Sequence, residues 1–314
     1  MLQLLVPLLG LAWSMQAADT RARSVDVRIL STMLADGDGF GEWGFAALVT
    51  IDGNAILFDT GAHPDTVLRN SKALKVDLST VTDVILSHNH LDHTAGLMTL
   101  RNEFKATGAF ARAHVGRGIF TPRILRDGTT SSPMLAIKKE YEASGGTFIE
   151  YNGSREIRPG VWLTGPVPRK YPERNWSGAF QLRADNGDLT EDNLPEDQSL
   201  IIDTVKGLVV ISGCGHAGVI NTLDYARAKI RQAPIHAAIG GFHLYQASDE
   251  HLAWTAAKFK EFGLQQFLGA HCTGIEAVYK IRELTGLSRK TAAVGAIGGG
   301  FSLDTGILPG SISK

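Results

Sequence analysis

The order of apolar runs along this 314-residue chain predicts a layered α/β fold with mixed sheets. Three observations lead there. An early pair of apolar runs is joined by a tight turn, later short apolar runs are each followed by a helical pattern, and the chain is long enough to bury a large core without staples. The first pair is Phe45-Ala46-Ala47-Leu48-Val49-Thr50-Ile51 and residues 54–59, separated by Asp52-Gly53, a dipeptide that favours two-residue hairpin turns. Residues 82–87, 207–212, 235–239 and 266–270 are short apolar runs of the buried-strand kind. Between them, Val219, Leu223, Ala226 and Ile230 fall on one helical face, as do Leu252, Ala256 and Phe259.

Two segments break this rhythm. Residues 2–13 are apolar and are followed by Ala17 and Ala18 and then by polar residues, as in a secretory signal, although no Lys or Arg precedes them. A buried or frayed N-terminal segment is the alternative. The expectation is a signal peptide at residues 1–18 and a periplasmic or secreted protein, otherwise a cytoplasmic one. The run is too short to span a bilayer and no other segment reaches that length, so no membrane span is expected. The second break, at about residues 117–197, holds Pro122, Pro133, Pro159, Pro166, Pro168, Pro172 and Pro195 and reads as an irregular insertion or lid within one domain spanning 25–314.

Composition excludes some functions. The net charge is −1, from 31 basic and 32 acidic residues, so nothing advertises a nucleic-acid partner. Two cysteines rule out a disulfide framework, and a small-molecule substrate is the expected partner. The chemistry lies in Ser87-His88-Asn89-His90-Leu91-Asp92-His93, where three histidines and an aspartate fall within six positions directly after a buried strand. Imidazole and carboxylate suit zinc and other borderline divalent ions. In an extended run His88 and His90 point the same way and can reach one ion, while Asp92 and His93 are placed to hold a second.

These residues resemble the His-x-His-x-Asp-His signature of the metallo-β-lactamase superfamily. The resemblance implies a four-layer αββα sandwich with a one- or two-metal site at one edge. It also implies that Asp59, closing the early hairpin, lies beneath the site and orients a ligand histidine. Gly213-Cys214-Gly215-His216, Gly240-Gly241-Phe242-His243, His271-Cys272-Thr273-Gly274 and Thr164-Gly165-Pro166 resemble one subfamily, the 7,8-dihydropterin-6-methyl-4-(β-D-ribofuranosyl)aminobenzene-5′-phosphate synthase-like proteins. Carried over by position, His88, His90 and His216 would bind one ion, and Asp92, His93 and His271 the other. Two divalent ions are expected, zinc first, with manganese or iron as alternatives. Where the superfamily usually places a bridging aspartate this chain has Gly213-Cys214, which leaves Cys214 or Asp197 to share that job. Trp43 stands where the subfamily would carry histidine.

Some residues keep two readings. His243 either faces the cleft and contacts substrate or pins its loop. Arg169 either clamps a phosphate or forms a surface salt bridge, and His114 reads as a satisfied structural histidine. Cys214 and Cys272 are expected to be free thiols near the site.

Bound metal lowers the pKa of water from 15.7 to about 7. No Gly-x-Ser-x-Gly elbow competes with it as the source of a nucleophile. Asp92, as ligand and acceptor, would orient the nucleophile, and His243 would pass a proton. The first expectation is therefore a metal-dependent hydrolase of phosphoesters or other activated esters. The alternative is a transferase that joins a dihydropterin diphosphate to an aminobenzene ribosyl phosphate. A lactonase or β-lactamase follows, and retention of the whole motif argues against a vestigial, purely binding site.

Overall fold

A computed structural model describes residues 19–176, 178–184 and 186–313. The expected signal peptide at residues 1–18 lies outside the described residues, and no helix among those described is long and apolar enough to cross a membrane.

The chain opens with β1 (Val25–Ser31), β2 (Ala46–Ile51) and β3 (Asn54–Phe58). Ile51 pairs with Asn54 across the turn, where Asp52 and Gly53 take φ of 46° and 80°, the left-handed conformations a two-residue hairpin demands. Next come α1 (Thr66–Ala73), β4 (Asp83–Leu86), α2 (Leu91–Thr94), α3 (Leu97–Glu103) and β5 (Arg112–Gly116). The Pro-rich stretch supplies β6 (Arg123–Leu125), β7 (Thr130–Ser131), α4 (Pro133–Ala143), β8 (Thr147–Tyr151), β9 (Arg155–Arg158), β10 (Val161–Leu163), β11 (Phe180–Arg183) and β12 (Leu189–Glu191). The last third contains β13 (Leu200–Thr204), β14 (Gly207–Ser212), α5 (Val219–Lys229), β15 (Ile235–Gly240), α6 (Asp249–Glu261), β16 (Gln266–Gly269), α7 (Ile275–Thr285), β17 (Ala292–Val294), β18 (Gly300–Ser302) and β19 (Gly306–Leu308).

Two mixed sheets result, with strand orders β19-β18-β1-β2-β3-β4-β5-β8 and β17-β16-β15-β14-β13-β10-β9. Three apolar clusters define four layers. Val27, Val49, Phe58 and Ile85 of the first sheet meet Val209, Ile211, Ile239 and Leu268 of the second. The first sheet's outer face packs on Val67, Leu100 and Tyr141 from α1, α3 and α4. The outer face of the second packs on Leu223, Phe259 and Ile281 from α5, α6 and α7. The runs read as continuously apolar because both faces of each strand are buried. In β14, Val209 and Ile211 face the other sheet, whereas Leu208 and Val210 face the helices. The fold is the αββα sandwich that the sequence implied.

The stretch 117–197 is less irregular than expected. β8 joins the first sheet and β9 and β10 join the second, while β12-β11-β6-β7 form a small sheet of their own. That small sheet is held less by apolar alternation than by ladder pairing and by Arg123, which donates to Asp192 at 2.8 Å and to both Glu196 carboxylate oxygens at 2.7 and 2.6 Å.

Candidate metal centre

Strand ends from both sheets converge on one edge of the sandwich. From the first sheet, β4 runs out at Leu86 and the chain continues through His88 to His90, which immediately precedes α2 and its Asp92 and His93. From the second, β14 leads to Cys214 and His216, β15 to His243 and β16 to His271 and Cys272. His88, His90 and His216 bring one nitrogen each within 4.8 Å of one another, and Asp92, His93 and His271 do the same with their ligand atoms. These are the two trios expected from the sequence. Cys214 adds further groups, with His88 and His93, with His216 and His243, and with His271 and Cys272. Asp197 is in none of the candidate groups among the described residues.

Hydrogen bonds fix which nitrogen His88, His93 and His216 present. Ser87 Oγ donates to Asp59 Oδ2 at 2.8 Å and accepts from His88 Nδ1 at 2.9 Å, which leaves the buried His88 Nε2 with no partner. His93 Nδ1 donates to Asp59 Oδ2 at 2.7 Å, so its Nε2 lone pair also faces the cluster. His216 Nδ1 donates to the carbonyl of Asn175, and its Nε2 is likewise unpartnered. Buried nitrogens without partners are costly in a native interior. Several aimed at one another, each holding a lone pair, fit divalent metal binding, with carbonyl, hydroxyl and carboxylate partners of the kind that orient ligand imidazoles.

Titration divides the cluster. Three rings stay neutral, whereas burial is outweighed at His93 by Asp92 and Asp59, and at His271 by Cys272 and Asp92, holding both toward the protonated form that an ion would have to displace. Burial, then neighbouring imidazoles, holds His88 and His216 well below the usual histidine range, and burial first of all takes His90 down to about 4. These rings remain neutral, as ligands must. Burial opposes ionisation of Asp92, but His93 and His271 outweigh it and keep the carboxyl below the usual carboxylate range. For His271 burial is overcome by Cys272 and Asp92, raising it to about 10. Its Nε2 lies 3.3 Å from Asp92 Oδ2. Cys214 and Cys272 are free, buried and 3.1 Å apart, and Cys214 Sγ is 3.2 Å from His93 Nε2.

The backbone around the site is strained where it must turn. Asp59, His243 and His271 take φ of 57°, 49° and 45°, left-handed values uncommon for residues other than glycine. Gly213 has no room for a side chain, since a Cβ there would run into Ser87 Oγ and the Asp59 carboxylate.

Of the residues with two readings, His243 faces the site, its ring centroid 4.8 Å from that of His216, with Nδ1 unpartnered. Arg169 follows neither reading, because its guanidinium donates to the carbonyls of Asn193 and His216 and so braces the loop. His114 bonds Asp83 and Tyr151, both at 2.9 Å, away from the cluster. Trp43 lies edge-on to His271 at 5.0 Å. Sequence reasoning missed Ser87 and Asn175. Ser87 sits inside the motif and could have been found, whereas Asn175 acts on His216 through its carbonyl, which any residue carries.

The sequence model of the metallo-beta-lactamase superfamily matches residues 44–227. The chain is 29% identical over 245 residues to 7,8-dihydropterin-6-methyl-4-(beta-D-ribofuranosyl)-aminobenzene-5′-phosphate synthase of Methanocaldococcus jannaschii, covering 74% of this chain and 82% of the relative. It is 30% identical over 264 residues to an uncharacterized protein of the same organism, covering 82% and 94%. A crystal structure named as a metal-dependent hydrolase of the beta-lactamase superfamily superposes with a TM-score of 0.71 at 26% identity, over 90% of this chain and 99% of that one. These findings support an enzyme, yet they correct the first functional expectation. The curated relative with a named reaction is a synthase, and the shared fold speaks for hydrolysis only at the level of the whole superfamily. With the signature residues gathered at the strand ends and the family match spanning more than half its length, the chain belongs to the metallo-beta-lactamase superfamily.

Proposed function

We propose that this protein is a synthase-like transferase that joins a dihydropterin diphosphate to an aminobenzene ribosyl phosphate and releases diphosphate. The observation that carries this reading is its similarity to a synthase of that name across 82% of the relative's length. In the reaction the aryl amine nitrogen forms a bond to the carbon bearing the diphosphate, the carbon–oxygen bond breaks, and its electron pair leaves with diphosphate. The amine proton needs an acceptor.

His88, His90 and His216 would hold one divalent ion and Asp92, His93 and His271 a second, with zinc the first choice for this nitrogen, oxygen and sulfur donor set. Such ions supply Lewis-acid stabilisation of the charge that builds on the departing diphosphate. Cys214, shared by three of the candidate groups, would offer these ions a further donor, whereas Asp197 belongs to none of the groups among the described residues. Asp59 and Ser87 hold His93 and His88 in the tautomers that point Nε2 inward. Asp92, its side chain 22% exposed, would orient the attacking amine where the two substrates meet. His243 offers the unpartnered Nδ1 that takes the proton.

The test is diphosphate release by metal-loaded protein from a dihydropterin diphosphate, with and without the aminobenzene ribosyl phosphate. Release that requires both molecules, and is abolished in a folded His88→Ala variant, is the expected result. Release indifferent to the amine, or unchanged by His88→Ala, would refute the reading.

A further inference from the structure

A cavity of about 350 Å³ lies beside the metal centre on the His243 side, walled by Arg174, Trp176, His243, Tyr245, Ser248 and His251. A second, of about 280 Å³, lies on the other side against His90, Leu91, Asp92, Arg123, Pro133 and Phe180. Among the described residues the two share no lining residue. His216 stands between them, its ring centroid 5.1 Å from that of His90 and 4.8 Å from that of His243.

Their chemistry differs. Among the residues that wall the first cavity, Trp176 Nε1, His243 Nδ1 and His251 Nε2 are each buried without a hydrogen-bond partner. An indole N–H can only donate, so the Trp176 group calls for an acceptor. Aromatic faces are at hand, since the Tyr245 ring is 5.3 Å from that of His243 and 42% exposed. Arg174 lines it with 63% of its side chain exposed; among the described residues its ion-pair partner is the partly exposed Glu191, and its guanidinium lies 5.3 Å from the Trp176 ring centroid. A surface pair of this kind is weak and yields readily to a phosphate, which a guanidinium binds through two parallel bonds. Among the described residues the second cavity has no such cation to offer. Its Arg123 is buried and spends its donors on Asp192, Glu196 and the carbonyls of Gly118 and Thr121. What it presents instead is an acceptor, the unpartnered Asn89 Oδ1, beside the apolar Leu91, Pro133 and Phe180.

We infer that the Trp176–His251 cavity binds the phosphorylated aryl amine, its ring against the aromatic side chains and its sugar phosphate toward Trp176, His251 and Arg174, while the donor-rich heterocycle enters the opposite cavity. This rests on the transferase reading, which requires two molecules to meet across the metal centre. Nothing about the metal ligands alone would assign the sides.

Calorimetric titration of the metal-loaded chain decides it, with 4-(β-D-ribofuranosyl)aminobenzene 5′-phosphate and 6-hydroxymethyl-7,8-dihydropterin as separate probes. Loss of a charge-assisted or otherwise unreplaced hydrogen bond should weaken the aminobenzene probe by about tenfold in Arg174→Ala and in His251→Ala. The dihydropterin probe should bind both variants as it binds the parent. Arg174 is exposed, so its variant reports even where His251→Ala unfolds the loop. Unchanged binding of the aminobenzene probe to Arg174→Ala, or an equal loss for both probes, overturns the assignment. If the expected pattern appears but the parent chain releases no diphosphate from the paired substrates, the cavity assignment stands and the transferase reading falls.

Discussion

Asp59 shows how one side chain can set the chemistry of another without touching a ligand atom. Its carboxylate accepts from Ser87 N at 2.7 Å, from Ser87 Oγ at 2.8 Å and from His93 Nδ1 at 2.7 Å, all fully buried. Asparagine is a suitable replacement because it also tolerates the left-handed φ of 57° found here. With its oxygen kept toward Ser87 N, the amide would turn its NH₂ toward Ser87 Oγ and His93 Nδ1, and the least costly escape is for the hydroxyl to accept and for His93 to move its proton to Nε2. Asp59→Asn is therefore expected to keep the fold and to weaken metal binding by about 10- to 100-fold, read by competition with a chromophoric chelator. Binding equal to the parent's would show that the carboxylate does not govern His93. The role of Asp59 was legible once the signature was recognised, since a carboxylate closing a strand next to it had few other reasons to be there. That of Asn175 was not, because a backbone carbonyl leaves no mark on residue type.

At the scale of elements, the strands that carry the candidate ligands were legible and the segment that braces them was not. β4, β14, β15 and β16 are apolar on both faces, so their runs stand out from the surrounding helices. β6, β7, β11 and β12 are two to four residues long, too short for an alternation to show, so periodicity had nothing to work on. The same stretch delivers Glu173 to the start of α5, where its carboxylate accepts from Ile220 N at 3.1 Å and Asn221 N at 2.8 Å. Burial raises Glu173 to about 7 despite those donors. A carboxyl whose folded pKa lies above its unfolded value makes its full contribution below about 4.5 and loses it as pH climbs through about 7. Glu173→Gln, which imitates the protonated form, should flatten that decline. Thermal midpoints of parent and variant across pH 4 to 8 check it, and identical slopes would remove Glu173 as the source.

On the scale of the whole molecule, neither sheet holds a complete site. His88, His90, Asp92 and His93 follow β4 of the first sheet, whereas Cys214, His216 and His271 follow β14 and β16 of the second. The apolar layer that presses Ile85 and Phe58 against Ile211 and Ile239 therefore also sets the distances between ligand atoms. Binding and sandwich packing should be linked, because an ion that binds only the packed state stabilises it in proportion to the logarithm of free metal. At 100 times the dissociation constant that amounts to about 2.7 kcal/mol for each site. Removing the ions with a chelator is expected to lower the thermal midpoint, and returning zinc to restore it. His271→Ala takes one ligand from the trio with Asp92 and His93 and none from the trio with His88, His90 and His216. Its calorimetric stoichiometry should accordingly fall from two ions to one, with part of the metal-dependent stabilisation retained. A variant that still binds two ions with parental affinity would mean that the late strand ends lie beside the centre without belonging to it, and the division of ligands between the sheets would have to be drawn again.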